Sequence, residues 1–230
     1  MRLHRFFVSK KIERETLFIE DEALVHQWRN VFRLGVGDRV ILFDGSGDEF
    51  ILEIKKITKD KAELNILEKR KGIISEKEIS LFVGIPKKDK FEWIVEKATE
   101  LGVSHITPMI TERSEKKDIN NVRINKIIIE ASEQSGRATL PILHEVDTLE
   151  KALSGIKIPL IVCDGSGEKS TEKIFSKDNK LSIFIGPEGG FTEKELLIFK
   201  NNNAKIISLG DQTLRTETAA VSALSLALLK

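Results

Sequence analysis

A glycine-rich turn between an apolar run and a predicted helix is a candidate ligand site. The run LSIFI, residues 181–185, meets GPEGG, residues 186–190, and a helix is predicted to begin near Thr192. A phosphate-binding loop needs a lysine and a hydroxyl at fixed spacing, and GPEGG has neither. A dinucleotide-binding loop needs G-x-G-x-x-G, but Pro187 and Glu188 stand in its second and third positions, and Glu188 would repel a pyrophosphate.

The turn better suits a neutral group that forms many hydrogen bonds. Glycines allow backbone N–H and C=O groups to approach a ligand closely, and Pro187 stiffens the turn. Such backbone groups suit adenine or ribose, and a nearby carboxylate tolerates a cationic ligand. The alternative is a plain strand–helix turn with Glu188 exposed to solvent. The turn alone does not decide between the two.

A second polar stretch follows another strand that ends in glycine. IISLG, residues 206–210, precedes DQTLRTET, residues 211–218, and an apolar helix comes next. Ligands of open α/β folds bind at the carboxyl edge of the sheet, so we expect the two glycine turns to form one crevice there. One of the threonines could instead cap the helix, and Arg215 and Glu217 could be a solvated pair.

The elements that would position these residues fall into two parts. Up to about residue 70, β-rich runs alternate with turn signals and one helical insert at residues 21–29, which predicts a small β-barrel or curled sheet. A polar stretch at residues 69–78 is predicted to be a linker. From residue 79 onward strands alternate with helices, which predicts a mostly parallel sheet with helices on both faces.

Three local patterns in the second part give further expectations. Thr192 and Glu195 have the spacing of a capping box. A second DGSG, residues 164–167, follows a strand and is predicted to be a tight turn. The last helix, about residues 216–229, is apolar nearly all round, which predicts packing against a second subunit as well as its own sheet.

Composition describes an ordinary globular protein, with 40% hydrophobic and 32% charged residues. The net charge of +1 gives no bulk signal for nucleic acid, so any RNA contact must come from local patches. The single cysteine, Cys163, excludes an intramolecular disulfide and a cysteine-based zinc cluster. No apolar run has membrane-spanning length and no signal peptide is recognisable, so we expect a cytoplasmic protein without membrane or metal partners.

Several motifs together resemble one protein family. IGPEGGFTEKE and SLGDQTLRTETAA closely resemble the two cofactor-binding motifs of the ribosomal RNA small subunit methyltransferase E family, which belongs to the SPOUT methyltransferases. MRLHRFF, WRNVFRLGVGDRVILFDGSG, EKATELGVSHITPMITERS and EASEQSGR resemble other blocks of that family, in the same order. The resemblance therefore covers essentially the whole chain.

The resemblance implies a fold and a reaction. The fold would be α/β, with an N-terminal PUA-like β-barrel that docks RNA, residues 1–72, and a C-terminal SPOUT α/β domain with a deep trefoil knot, residues 73–230. The active form would be a homodimer with its sites at the subunit interface. The reaction would move a methyl group from S-adenosylmethionine to N3 of a uridine in 16S ribosomal RNA, giving 3-methyluridine.

The resemblance also implies roles for individual residues. The expected cofactor contacts are Gly186, Gly190, Leu209, Gly210 and Leu214. Arg215 would stabilise developing negative charge, and Glu217 would accept a proton unless it only interacts with the helix dipole. The expected RNA contacts, each of which could instead be an ordinary surface residue, are Arg2, His4, Arg5, Arg113, Ser114, Gln134 and Arg137.

Two other functions stay open on the sequence. One is another SPOUT methyltransferase that acts on transfer RNA or on a different ribosomal RNA site. The other is an RNA-binding or ribosome-assembly protein without catalysis. Cofactor binding separates the second from both methyltransferase hypotheses, and the identity of the methylated RNA separates the methyltransferases from each other.

Overall fold

The computed structural model describes residues 3–115, 118–169, 174–175 and 178–229. The chain divides into two compact units. Met1–Ile74 and Ser132–Thr139 form the first, and Ser75–Ala131 with Leu140–Lys230 form the second. No pattern in the sequence indicates that Ser132–Thr139 packs with the amino-terminal strands. Arg2, one of the expected RNA contacts, lies outside the described residues.

The first unit is built on a β-sheet whose described strands follow the order β1-β3-β4-β5-β2. The strands are β1 His4–Phe7, β2 Thr16–Ile19, β3 Arg39–Phe43, β4 Asp48–Ile57 and β5 Ala62–Lys71. β1 pairs with β3 in parallel, and the other pairs are antiparallel. Alternate residues such as Val40 and Leu42 are fully buried in one apolar core, as the period of two predicts. The β-rich prediction for this part is confirmed.

The helical insert of the first unit differs from its prediction. Asp21 caps helix α1, Glu22–His26, by accepting hydrogen bonds from the backbone of its first turn. The chain then continues as a π-helical turn, Gln27–Val31, which places the Trp28 side chain in the core. The wider turn is a local departure from helical periodicity, which the sequence pattern did not indicate.

The predicted linker begins too early, because its first residues belong to a strand. β5 continues to Lys71, and Lys69 and Lys71 place their amino groups 2.9 and 2.7 Å from the carboxylate of Asp48 on β4. These cross-strand ion pairs accompany a hairpin end that is polar and exposed. A polar run therefore indicated a linker where the structure has a solvated strand.

The second unit is a parallel sheet with helices on both faces, as predicted. Within the described residues its seven strands have the main order β12-β10-β11-β6-β7-β8, and β9 also pairs with β7. They are β6 Glu78–Gly84, β7 His105–Ile110, β8 Ile142–Leu143, β9 Asp147–Thr148, β10 Leu160–Lys169, β11 Lys180–Ile185 and β12 Lys205–Ser208. The helices are α2 Lys88–Leu101, α3 Asn121–Ser135, α4 Leu149–Leu153, α5 Glu193–Asn201 and α6 Thr216–Leu228.

Neighbouring residues of the central strands enter different cores. Leu81 and Val83 of β6 pack with α2, α3 and α6, whereas Phe82 between them packs with α4 and α5. Successive side chains of a strand point to opposite faces, so one apolar run supplies both layers. The two cores fix the strand ends from which the candidate site is built.

The second DGSG is part of a strand, so the predicted tight turn is wrong. β10 continues through residues 164–169, and its register against β12 shifts between Cys163 and Glu168. A Cβ at Gly167 would lie 2.5 Å from the Ile207 backbone nitrogen, so the strands approach too closely there for a side chain. Gly167 therefore allows β10 and β12 to lie close together where their pairing is irregular.

Helix α6 buries one face within the chain. Ala220, Ala223, Leu224 and Ala227 are fully buried, while Val221 remains half-buried. The capping box at α5 is confirmed, with the side chains of Thr192 and Glu195 each bonded to the other's backbone N–H. No helix in the described part of the chain combines the length and the hydrophobicity that crossing a membrane requires.

Candidate active site

The carboxyl ends of two strands and the irregular middle of a third enclose a cavity of about 350 Å³. The strands are β12, β10 and β11, which lie side by side in the sheet. Residues 163–165, 185–191 and 208–214 form the walls, together with Thr216 and Ala219. The cavity is at the sheet edge where open α/β folds bind ligands, as the sequence predicts. The five expected cofactor contacts all line it: Gly186, Gly190, Leu209, Gly210 and Leu214.

The GPEGG turn is a tightly closed loop that needs its glycines. The Gly190 N–H donates to the Pro187 carbonyl at 2.8 Å, and Gly190 has a φ of 67°, which disfavours a side chain. A Cβ at Gly84, at the end of β6, would lie 2.6 Å from the Pro187 ring. The turn therefore packs its proline against a strand end that only glycine permits.

The segment TERS, residues 111–114, supports this turn from outside the cavity. Arg113 Nη1 donates to the Gly189 carbonyl at 2.7 Å. The Glu112 N–H donates to Glu195 Oε1 at 2.9 Å, and Thr192 Oγ1 donates to Glu112 Oε2 at 3.0 Å. Arg113, which is expected to contact RNA, is thus hydrogen-bonded to the glycine turn.

Glu188 is held by residues at the start of α2. Lys90 Nζ donates to Glu188 Oε1 at 3.1 Å, and the Lys87 N–H donates to the same oxygen at 3.4 Å. Partial burial raises the pKa of Glu188, but hydrogen bonds from its own backbone, from Lys90 and from Lys87 outweigh burial and bring that pKa below its ordinary value. Glu188 is therefore ionised and forms an ion pair with Lys90.

The same lysine approaches the start of α6. Lys90 Nζ lies 3.9 Å from Glu217 Oε2, an atom that is buried and forms no hydrogen bond among the described residues. The Glu217 side chain is 17% exposed. Lys90 therefore lies between one carboxylate of the glycine turn and one carboxylate of the RTET segment.

The start of α6 presents two different side chains. Thr216 lines the cavity, and its buried hydroxyl has no hydrogen-bond partner within the described structure. Arg215 precedes it and is exposed, and its guanidinium forms no hydrogen bond or ion pair with another described residue. Thr216 does not cap the helix through its side chain, so capping does not account for it.

Residues in the middle of β10, where its pairing with β12 becomes irregular, complete the cavity, and sequence reasoning missed them. Cys163, Asp164 and Gly165 all line it. Burial, with a contribution from the charge of Asp164, raises the pKa of the Cys163 thiol to about 12, so this thiol stays protonated and unreactive. A signal was present, because VCDGSG is a third apolar run that meets glycines, but the sequence pattern predicts only a turn there.

Comparisons with known proteins agree with this geometry. The RNA methyltransferase domain family matches residues 74–228, and the RNA methyltransferase PUA domain family matches residues 29–67. Relatives named ribosomal RNA small subunit methyltransferase E include one from Rickettsia conorii, 34% identical over 98% of this chain and 95% of its own length. Another, from Bacillus subtilis, is 31% identical over 97% of this chain and 95% of its own length.

The chain belongs to the ribosomal RNA small subunit methyltransferase E family.

Solved structures of similar proteins have the same fold. A family member from Neisseria gonorrhoeae bound to S-adenosyl methionine has a TM-score of 0.88 and 29% identity, covering 97% of this chain and 96% of its own. A putative methyltransferase from Legionella pneumophila in complex with the same cofactor has a TM-score of 0.87 and 30% identity, covering 99% of this chain and 97% of its own. The α/β fold with a PUA-like domain, and RNA methyltransferase activity, are thereby confirmed.

Two RNA contacts expected from the methyltransferase E resemblance have internal partners in the first unit. The Arg5 side chain is only 10% exposed, forms an ion pair with buried Glu49 and places its guanidinium carbon 5.2 Å from the centre of the Phe43 ring. Arg5 Nη2 also donates to the Arg137 carbonyl at 3.2 Å. Arg137 is itself buried, which lowers the pKa of its guanidinium to about 10.

The other expected RNA contacts of the family are more accessible. Gln134 and His4 are exposed, and the His4 ring lies 4.4 Å from the Phe32 ring. Ser114 is half-buried, and its hydroxyl accepts a hydrogen bond from the Thr111 N–H at 3.0 Å. RNA contact by these residues stays a prediction.

Proposed function

We propose that this protein transfers a methyl group from S-adenosylmethionine to N3 of a uridine in 16S ribosomal RNA, giving 3-methyluridine. The composition of the cavity wall is the observation that supports this proposal. The cavity between β10, β11 and β12 is lined by glycine backbone and by carboxylates, and among the described residues no lysine, arginine or histidine lines it. Such a wall suits a nucleoside with a cationic group and disfavours phosphate.

The cavity fits S-adenosylmethionine in size and in chemistry. Its volume of about 350 Å³ lies within the range of about 300–1,000 Å³ that is usual for small-molecule sites. The buried Thr216 hydroxyl has no partner in the described part of the chain and is available to a ligand's polar atom. Backbone groups of the GPEGG and SLGDQTL segments would hold the adenosine. When bound, this cofactor supplies a methyl group on a sulfonium.

The chemistry at uridine needs help from side chains. N3 of uridine carries a proton, and it becomes a good nucleophile only as that proton leaves and negative charge spreads to O2 and O4. A site for this reaction therefore needs a cation near the base and a proton acceptor. Holding the base against the methyl group supplies much of the remaining acceleration.

We assign these two tasks to Arg215 and Glu217. The Arg215 guanidinium is exposed and is not engaged by another described side chain, so it is available to stabilise the developing anion. Glu217 offers a buried oxygen that accepts no hydrogen bond from another described residue, which suits a proton acceptor. Neither residue lines the cavity, although Thr216 between them does, which supports their acting on the RNA base.

The remaining expectations belong to the same proposal. The active form would be a homodimer joined in part through α6, in the cytoplasm, with a trefoil knot in the second unit. Arg113, Gln134 and His4 are the accessible candidates for RNA contact. Arg5 and Arg137 would stabilise the first unit through their buried contacts.

Methyl transfer to defined RNA substrates tests the proposal. Small ribosomal subunits and naked 16S RNA from a strain without this activity would be incubated with the protein and methyl-labelled S-adenosylmethionine, with transfer RNA as the control. We expect label in 16S RNA and 3-methyluridine in its nuclease digest by mass spectrometry. Label in transfer RNA alone, or on another atom of the nucleotide, would contradict the proposal.

A further inference from the structure

Among the described residues, one carboxylate of the cavity differs from the others in having no cationic partner. Three acidic residues of the described chain line the cavity: Asp164, Glu188 and Asp211. Glu188 pairs with Lys90 at 3.1 Å, and Asp211 pairs with Lys169 at 2.8 Å. Within the described structure, the carboxylate of Asp164 accepts hydrogen bonds from Ser166 only and forms no ion pair.

The geometry of Asp164 turns its second oxygen toward the glycine turn. Oδ1 is engaged by the Ser166 N–H at 2.9 Å and by the Ser166 hydroxyl at 2.6 Å. Oδ2 lies 3.9 Å from the position that a Cβ would occupy on Gly190, the last glycine of GPEGG. Asp164 is half-buried, so water weakens its field less than that of Asp211, whose side chain is 78% exposed.

We propose that Asp164 is a specificity-determining residue that favours the sulfonium of the methyl donor over the neutral thioether of the demethylated product. The inference rests on the proposed function, since it requires that S-adenosylmethionine occupy this cavity. The donor and its product share the adenosine and amino acid groups and differ in the charge at sulfur. A negative charge in the wall stabilises only the donor's sulfonium, so product is displaced by fresh donor after each turnover.

Calorimetric titration separates charge discrimination from general binding. Dissociation constants for S-adenosylmethionine and S-adenosylhomocysteine would be measured on the wild-type protein and on Asp164→Asn. Asparagine keeps the shape and an oxygen that accepts from Ser166, but it removes the charge. We expect the preference for donor over product to fall about fivefold, the size of one partly solvated charge interaction. Sinefungin, with an ammonium group near the sulfonium position, should follow the donor.

Two matched variants control for indirect effects. Asp211→Asn removes a carboxylate from the same cavity, but one that Lys169 already neutralises, so the preference should stay within about twofold of wild type. Ser166→Ala removes the hydroxyl bond to Asp164 and leaves the charge, so the preference should persist.

The outcomes distinguish the inference from the function on which it depends. Equal loss of affinity for donor and product in Asp164→Asn would overturn the inference and leave the proposed function standing. An equal change of preference in Asp211→Asn would also overturn it, because any acid of the wall would then suffice. Wild-type protein that binds neither compound would overturn both.

Discussion

At the scale of single residues, Glu188 explains why an acid can stand in the middle of a glycine turn. Its carboxylate accepts from Lys90 and from the Lys87 backbone, so its charge is used within the protein and does not face the ligand alone. Lys90 in turn lies 3.9 Å from Glu217. One lysine of α2 thereby joins the turn that faces the cofactor to the segment proposed to act on the RNA base.

Replacement of Glu188 by glutamine tests this contact through its pH dependence. Because the native pKa of Glu188 is below its ordinary value, ionised Glu188 stabilises the fold at neutral pH, and this contribution disappears as pH falls from 4.5 through the native pKa. In thermal unfolding, Glu188→Gln should have a free energy of unfolding about 0.5 kcal/mol below that of wild type at pH 7, a value that allows for the partial exposure of the side chain. In strong acid the two proteins should have the same free energy of unfolding. A difference that persists in strong acid would mean that packing, not charge, is lost.

Arg215 carries the catalytic proposal at this scale. Arg215→Ala should lower turnover by about 100- to 1,000-fold, the usual cost of removing one group that stabilises transition-state charge. Affinity for S-adenosylmethionine should change little, because Arg215 does not line the cavity. Single-turnover kinetics with calorimetry checks both, and Arg215→Lys, which keeps the charge, should recover part of the rate. Unchanged turnover in the alanine variant would end this assignment.

At the scale of elements, the start of α5 links the TERS segment to the GPEGG turn. Thr192 and Glu195 form the capping box, and both also bond to Glu112. The helix cap, Thr192, is the second residue after GPEGG, so the cap that fixes the helix also fixes the end of the turn. A local helix signal in the sequence therefore has a tertiary function at the site.

Thr192→Ala should weaken both the helix and the site. Loss of an N-cap hydroxyl costs about 1 kcal/mol of unfolding free energy, which urea denaturation measures. Affinity for S-adenosylmethionine should also fall, because the bond from Thr192 to Glu112 is lost with the cap. Thr192→Ser keeps the hydroxyl and is the matched control. A stability loss without any change in affinity would argue against coupling between the TERS segment and the turn.

At the scale of the whole molecule, α6 gives the clearest indication of a second subunit. One face of this helix is fully buried in its own unit. Val221, on another face, is half-buried and does not belong to the apolar core that the described residues form around this helix. Leu229, just past the helix, is 61% exposed. An apolar helix with such a face is stabilised when another surface covers it.

Sedimentation measures the assembly directly. Wild-type protein should sediment as a dimer at micromolar concentration, and Val221→Asp should shift it toward monomer with loss of methyl transfer, because an unpaired charge at an apolar interface is costly. Thr218→Asp, at an exposed position of the same helix, should remain dimeric. A wild-type monomer with full activity would contradict the shared-site proposal.

The sequence by itself determined the features that depend on near neighbours. The residues of GPEGG excluded a phosphate-binding loop. The hydrophobic periods of strands and helices predicted a parallel sheet with helices on both faces. The spacing of Thr192 and Glu195 predicted the helix cap. Local signals failed where a longer-range pairing decided the outcome. Lys69 and Lys71 belong to a strand because β4 pairs with them. The second DGSG lies within β10 because β12 pairs with the residues on both sides of it, Cys163 and Glu168.

Only the tertiary structure decided which side chains meet at the site. Lys90 and Glu188 are 98 positions apart, and Arg113 and Gly189 are 76 apart. Such contacts depend on the order of parallel strands, which no local pattern contains, because each crossover can carry a strand to a different place in the sheet. The same strand order brings Asp164 to the cavity proposed to hold the methyl donor.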